Sequence, residues 1–122
     1  MTKATLVLAV AASLWASGAS AMTVQEFLTS ANRIPRNPTA LLRSDTRRLM
    51  NEINGAFKTV GDEQEAAQAA GRRPATCIAK GAKIRLSPDM ILNRFNAIPA
   101  ARRNISVTQA VREWMAAEHP CP

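Results

Sequence analysis

Apolar residues recur at helical spacing in several stretches of this chain, and no stretch carries sustained strand alternation. Val24, Phe27, Leu28 and Ala31 advance in steps of three and four, which places them on one face of an α-helix. Thr23-Val24-Gln25-Glu26 opens that helix as a capping box: the threonine oxygen accepts the amide three residues on, and the glutamate reaches back to the cap amide. The helix should close near Pro35, because the residue before a proline avoids the α region. Asn37-Pro38 begins a second segment, with an N-cap residue and a proline at the first helical position. Its stripe is Leu42, Thr46, Leu49, Ile53, Phe57 and Val60, with Gly71 as a C-terminal cap. Residues 38–70 fit one helix or two, with a restart at Ser44-Asp45 or at Gly61-Asp62.

The helical period is lost over residues 72–86, "RRPATCIAKGAKIRL", where Pro74, Gly81 and β-branched Thr76, Ile78 and Ile84 predict an extended, looped connection. Ser87-Pro88-Asp89 starts the next helix, with Ile91, Leu92, Phe95 and Ile98 as its apolar face and Pro99 as its stop. Ser106-Val107-Thr108-Gln109 reads as a second capping box. Val107, Ala110, Val111, Trp114 and Met115 follow it at helical spacing, and Pro120 ends the segment. These elements predict an all-α fold: a compact bundle of four to five helices on one core, in a single domain over residues 22–122.

The amino terminus changes the picture of where this domain works. Lys3 precedes an apolar run from Ala4 to Trp15, and small residues lead to Ala19-Ser20-Ala21. That is the charge, apolar core and cleavage pattern of a secretory signal peptide over residues 1–21, cut after Ala21. The run is shorter than the roughly 20 residues a bilayer span needs, so stable membrane insertion is not expected. The expected destination is the periplasm or the exterior.

The chain carries a net charge of +7, with 16 lysines and arginines against 9 acids. Such a balance suits nucleic acid, an anionic surface or an acidic protein partner. Nucleic acid fits least. Beyond the leader the aromatics are Phe27, Phe57, Phe95 and Trp114, all within apolar helical patterns, which leaves none for base stacking. Arg72, Arg73, Lys80, Lys83 and Arg85 make residues 72–86 the most basic loop and the candidate partner-binding residues. Solvated faces that keep the protein soluble are the competing account of its charge.

The chain ends His119-Pro120-Cys121-Pro122, holding its single histidine and one of its two cysteines. A metal site needs three or four ligands, and a Cys–His nucleophile needs a free thiolate. An oxidising compartment instead favours pairing Cys77 with Cys121. A disulfide closing so long a loop is worth about 4 kcal/mol in chain-entropy terms. No Gly-rich phosphate loop or serine elbow is present, and the acids fall in first turns or on polar helix faces. The expectation is therefore no enzyme, no metal and no cofactor.

The segment "CIAKGAKIRLSPDMILNRFNAIPAARRNISVTQAVREWMAAEHPCP" resembles the Rap/Tai immunity proteins of type VI secretion systems. The matching elements are Cys77-Ile78, Gly81, the helix from Ser87, Ala110, Trp114 and His119-Pro120-Cys121. Ala79 stands where that family usually carries proline, and His119 where tyrosine or phenylalanine is common. The resemblance implies a small periplasmic helical protein that binds an injected toxin, often a peptidoglycan amidase, and tends to form homodimers. It also implies the Cys77–Cys121 pair. A small periplasmic chaperone or stress protein is the alternative, and a binder of anionic surfaces through the basic loop is a third.

Overall fold

The computed structural model describes residues 21–122; the predicted leader lies outside the described residues except for Ala21. Four α-helices are present there: α1 (Val24–Ala31), α2 (Ser44–Ala69), α3 (Pro88–Asn96) and α4 (Val107–Glu118). One 3-10 turn, Pro38–Leu42, precedes α2, and another, Ala100–Arg102, precedes α4. The all-α bundle holds. No helix among the described residues is long and apolar enough to cross a membrane.

The 26-residue α2 is the spine, about 39 Å long at 1.5 Å per residue. Leu49, Ile53, Ala56 and Val60 form its buried stripe, and α4 lies against it. The facing stripe of α4 is Val107, Ala110, Val111, Trp114 and Met115. The short α1 packs on α2, α3 and α4. Phe27 of α1 meets Phe95 of α3 edge to face at 5.1 Å, and Phe57 meets Trp114 likewise at 5.8 Å. These are favourable aromatic geometries, and Phe95 is fully buried.

The choice between one helix and two over residues 38–70 is decided at Arg43. Its backbone is extended (φ −84°, ψ 143°), so the 3-10 turn ends and α2 restarts at Ser44. Leu42, expected in the α2 stripe, is consequently 79% exposed. No restart occurs at Gly61. The buried stripe continues from Ala56 to Val60, and that burial outweighs the roughly 1 kcal/mol cost of a helical glycine. Gly71 has φ +72°; its amide donates to the Gln68 carbonyl at 3.1 Å, and that of Arg72 to Ala67 at 2.8 Å. This pair of bonds is a Schellman motif, as the predicted C-cap requires.

Thr23 forms the complete capping box, accepting from the Glu26 amide while Glu26 accepts from the Thr23 amide. The second box forms only half. Ser106 accepts from the Gln109 amide, but the Gln109 side chain turns to Glu113 and Arg112 instead of back to the cap. The start of α4 needs no second bond, because the Val107 amide donates to the Met22 carbonyl at 2.8 Å. In return, Val24 and Gln25 donate to the carbonyls of Ile105 and Arg103. Amides that a helix start leaves without intrahelical partners are thus satisfied by the neighbouring chain.

Two bidentate ion pairs brace α4. The Arg112 guanidinium grips Glu63 of α2 at 2.8 Å through both oxygens, and this hydrogen bonding holds the Glu63 carboxyl below its ordinary range. Arg102 pairs with Glu113 at 3.2 and 3.0 Å and, with Gln109 adding a bond, lowers that carboxyl as well.

Candidate functional site

Residues 72–87 leave α2 at the Schellman turn and reach α3 without helix or strand. A loop of that length keeps one shape only if its backbone groups find partners. Three attachments supply them. Cys77 and Cys121, 44 positions apart, form a disulfide with Cα atoms 4.9 Å apart. Beside it, the Cys77 amide donates to the His119 carbonyl at 2.8 Å, and Arg73 Nη2 donates to the Cys121 carbonyl at 3.2 Å. Farther along, Gln64 of α2 bonds both sides of the Ile78 residue: Nε2 donates to its carbonyl at 3.0 Å and Oε1 accepts its amide at 2.9 Å. The same Oε1 accepts from the hydroxyl of Thr76, which is only 2% exposed.

The carboxy-terminal cysteine is therefore a latch. No cysteine is free, so the thiolate that a Cys–His dyad would use does not exist. His119 caps α4: its amide donates to Met115, and its carbonyl takes the Cys77 amide. Among the described residues, no three His, Cys, Asp or Glu side chains cluster as a metal site would require.

The anchored loop displays its cations outward. Arg72, Arg73, Lys80, Lys83 and Arg85 are all exposed, and none of them pairs with a carboxylate among the described residues. Arg73 is partly committed to the latch, whereas the other four make no side-chain hydrogen bond there. Lys80 sits at a turn closed by the Ala82 amide on the Ala79 carbonyl at 3.0 Å, and Gly81 takes φ +82° in it. A left-handed residue at the third turn position is what such a turn demands.

The loop ends at a feature that helical periodicity does not reveal. Leu86, Ile91 and Leu92 face Ile34, Leu41 and Met50 across a groove of about 620 Å³. Leu41 is 70% and Met50 52% exposed, so nothing among the described residues covers these apolar side chains. Arg36 lines the groove, its guanidinium 3.3 Å from Asp89, the carboxylate that also lines it. Arg33 and Arg85 adjoin the lining residues Ile34 and Leu86 in the chain, and Arg47 lies one helical turn from Met50. Among the described residues that line it, Arg36 is the one arginine and Asp89 the one carboxylate, and the two are paired. Thr46 Oγ1, beside this floor, has no hydrogen-bond partner among the described residues. The signal for the groove was Leu41 and Met50, apolar residues that lie off the α2 stripe.

Comparison with family models, curated proteins and solved structures returned no match to this chain.

Proposed function

We propose that this chain is an exported binding protein of the immunity type, which neutralises a type VI toxin effector, such as a peptidoglycan amidase, by occupying it. The observation that carries this reading is the uncovered apolar groove, which the latched basic loop enters at Leu86. An uncovered apolar floor and unpaired cations together suit a protein partner that presents apolar side chains among carboxylates. The likeness of residues 77–121 to Rap/Tai immunity proteins supports the same reading. The disulfide fits an oxidising compartment.

A periplasmic chaperone is the competing function. Acid-triggered chaperones need carboxylates or histidines free to sense pH, and here the acids are largely engaged. Glu26 serves a cap, while Asp45, Asp62, Glu63, Asp89 and Glu113 sit in ion pairs.

The test is co-purification of the processed protein with each type VI effector encoded in the same genome, together with survival of cells exposed to that effector. One effector should bind and lose activity. Reversing charge at Arg72, Lys80, Lys83 and Arg85, or placing Asp at Leu41, should weaken that complex at least tenfold. Absence of any effector complex and of any protection would refute the immunity function. Suppressed aggregation of acid-unfolded clients would favour the chaperone instead.

A further inference from the structure

Met22 is placed as a chain start should be. Its side chain is buried in the core at 8% exposure, whereas Ala21 before it is exposed. Its carbonyl accepts from Val107, and its backbone nitrogen lies 3.3 Å from Glu52 Oε1 on α2. A hollow of about 300 Å³ opens there, lined by Ala21, Asn51, Glu52, Thr59 and Thr108 among others. Among the described residues that line it, Glu52 is the only charged one.

We propose that leader cleavage between Ala21 and Met22 creates an α-ammonium that docks on Glu52, so that the processed terminus becomes a structural ion pair. A leader peptidase hydrolyses the peptide bond with one water: hydroxyl goes to the Ala21 acyl carbon and a proton to the Met22 nitrogen. A second proton from solvent completes the ammonium. The amide donor to the Glu52 carboxylate becomes an ammonium, so a hydrogen bond with one charged partner becomes an ion pair, and the two new N–H donors can reach the polar side chains of the hollow. Before cleavage, Ala21 itself lines that hollow. This docking presupposes export, the part of the proposed function on which it depends; it does not depend on the toxin.

Other charges near this point are accounted for. Glu26 of α1 accepts the neighbouring Thr23 amide, and Arg48, one turn before Glu52, reaches Ser30. From α4, Thr108 lines the hollow and is uncharged. From the segment before α4, Arg103 donates to the Asn96 and Ile98 carbonyls. Glu52 is therefore the carboxylate that would set the terminal amine's titration. An ammonium held by a carboxylate has a raised pKa. Its stabilisation is complete below the ordinary α-amine value of about 7.7–8.0 and is lost as pH rises through the higher folded value.

The full chain, leader included, is expressed in a Gram-negative host and the periplasmic protein is purified. Intact mass should correspond to residues 22–122 with one disulfide. The Met22 α-amine, followed by pH-dependent acylation, should titrate above its ordinary value, and Glu52→Gln should return it. The variant should melt a few degrees lower at pH 7, a gap of about 3–6 °C that closes above about pH 10. If Glu52→Gln does not accumulate, the wild type decides alone: an α-amine titrating at about 8 or below overturns the ion pair. A different first residue overturns this docking alone. An uncleaved chain overturns it together with export.

Discussion

The side-chain amide of Gln64 pairs with the backbone of Ile78 as one β-strand pairs with another. It donates to the carbonyl at 3.0 Å and accepts the amide at 2.9 Å. A helix side chain thereby stands in for the partner strand that this extended loop lacks. The bond fixes the loop one residue after Cys77, so the disulfide and Gln64 hold neighbouring points from opposite sides.

Gln64→Leu should destabilise the protein by about 1–3 kcal/mol, because the hydroxyl of buried Thr76 and both polar groups of Ile78 lose their partner. Gln64→Glu should cost less, since a carboxylate still accepts from Thr76 and from the Ile78 amide. Urea midpoints for the two variants would check the order. A Leu variant as stable as wild type would show that the loop is held by the disulfide alone.

Cys121→Ser, or reduction of the wild type, should lower stability by about 2–4 kcal/mol. In a domain of this size that corresponds to a fall in Tm of at least about 10 °C. Paired melting curves with and without reductant provide the measurement, and the serine variant should be indifferent to reductant.

Acid should weaken the seam between α2 and α4. The Glu63 carboxyl is lowered in the folded chain, chiefly by its hydrogen bonds with Arg112. Its contribution is therefore complete above the unfolded value of 4.5 and is lost as pH falls through the lower folded value. Both side chains are partly exposed, which limits the pair to about 1 kcal/mol. Glu63→Gln should cost about that much at pH 7 and almost nothing at pH 2, as read from denaturation at the two pH values.

Two glycines of this chain should respond to alanine with opposite signs. A methyl at Gly71 meets no atom within 4 Å, so Gly71→Ala suffers only from its φ of +72° and should cost about 1–2 kcal/mol. Gly61 is helical with equally open space, and Gly61→Ala should stabilise by about 0.5–1 kcal/mol. Equal shifts in the two variants would refute the Schellman ending of α2.

The elements of this protein are written locally, and they were legible for that reason. A capping box at Thr23, a cap and proline at Ser87-Pro88, and the stripe from Val107 to Met115 each depend on residues within a few positions of one another. The disulfide was legible from count and expected compartment, since two cysteines in a chain that reads as exported leave one intramolecular pairing. Contacts between distant segments were not. Gln64 looks like an ordinary polar residue on a solvated helix face, and only the loop folded against that face makes it an anchor. Met22 falls outside every helical stripe, yet the pairing of residues 22–25 with 103–107 drives it into the core.

Periodicity reports which side of a helix is apolar, because side-chain direction follows from 3.6 residues per turn. It carries no information about whether a neighbour arrives to cover that side. Sequence alone thus indicated the helical class, the starts of α1 and α3, the stripe of α4 and the latch between Cys77 and Cys121, but left open whether residues 38–70 form one helix or two. The tertiary structure decided which apolar residues stay uncovered. Beside Leu86 and Leu92, Leu41 stays open because the backbone breaks at Arg43 and sets the 3-10 turn apart from the α2 stripe, and Met50 stays open because it lies off that stripe.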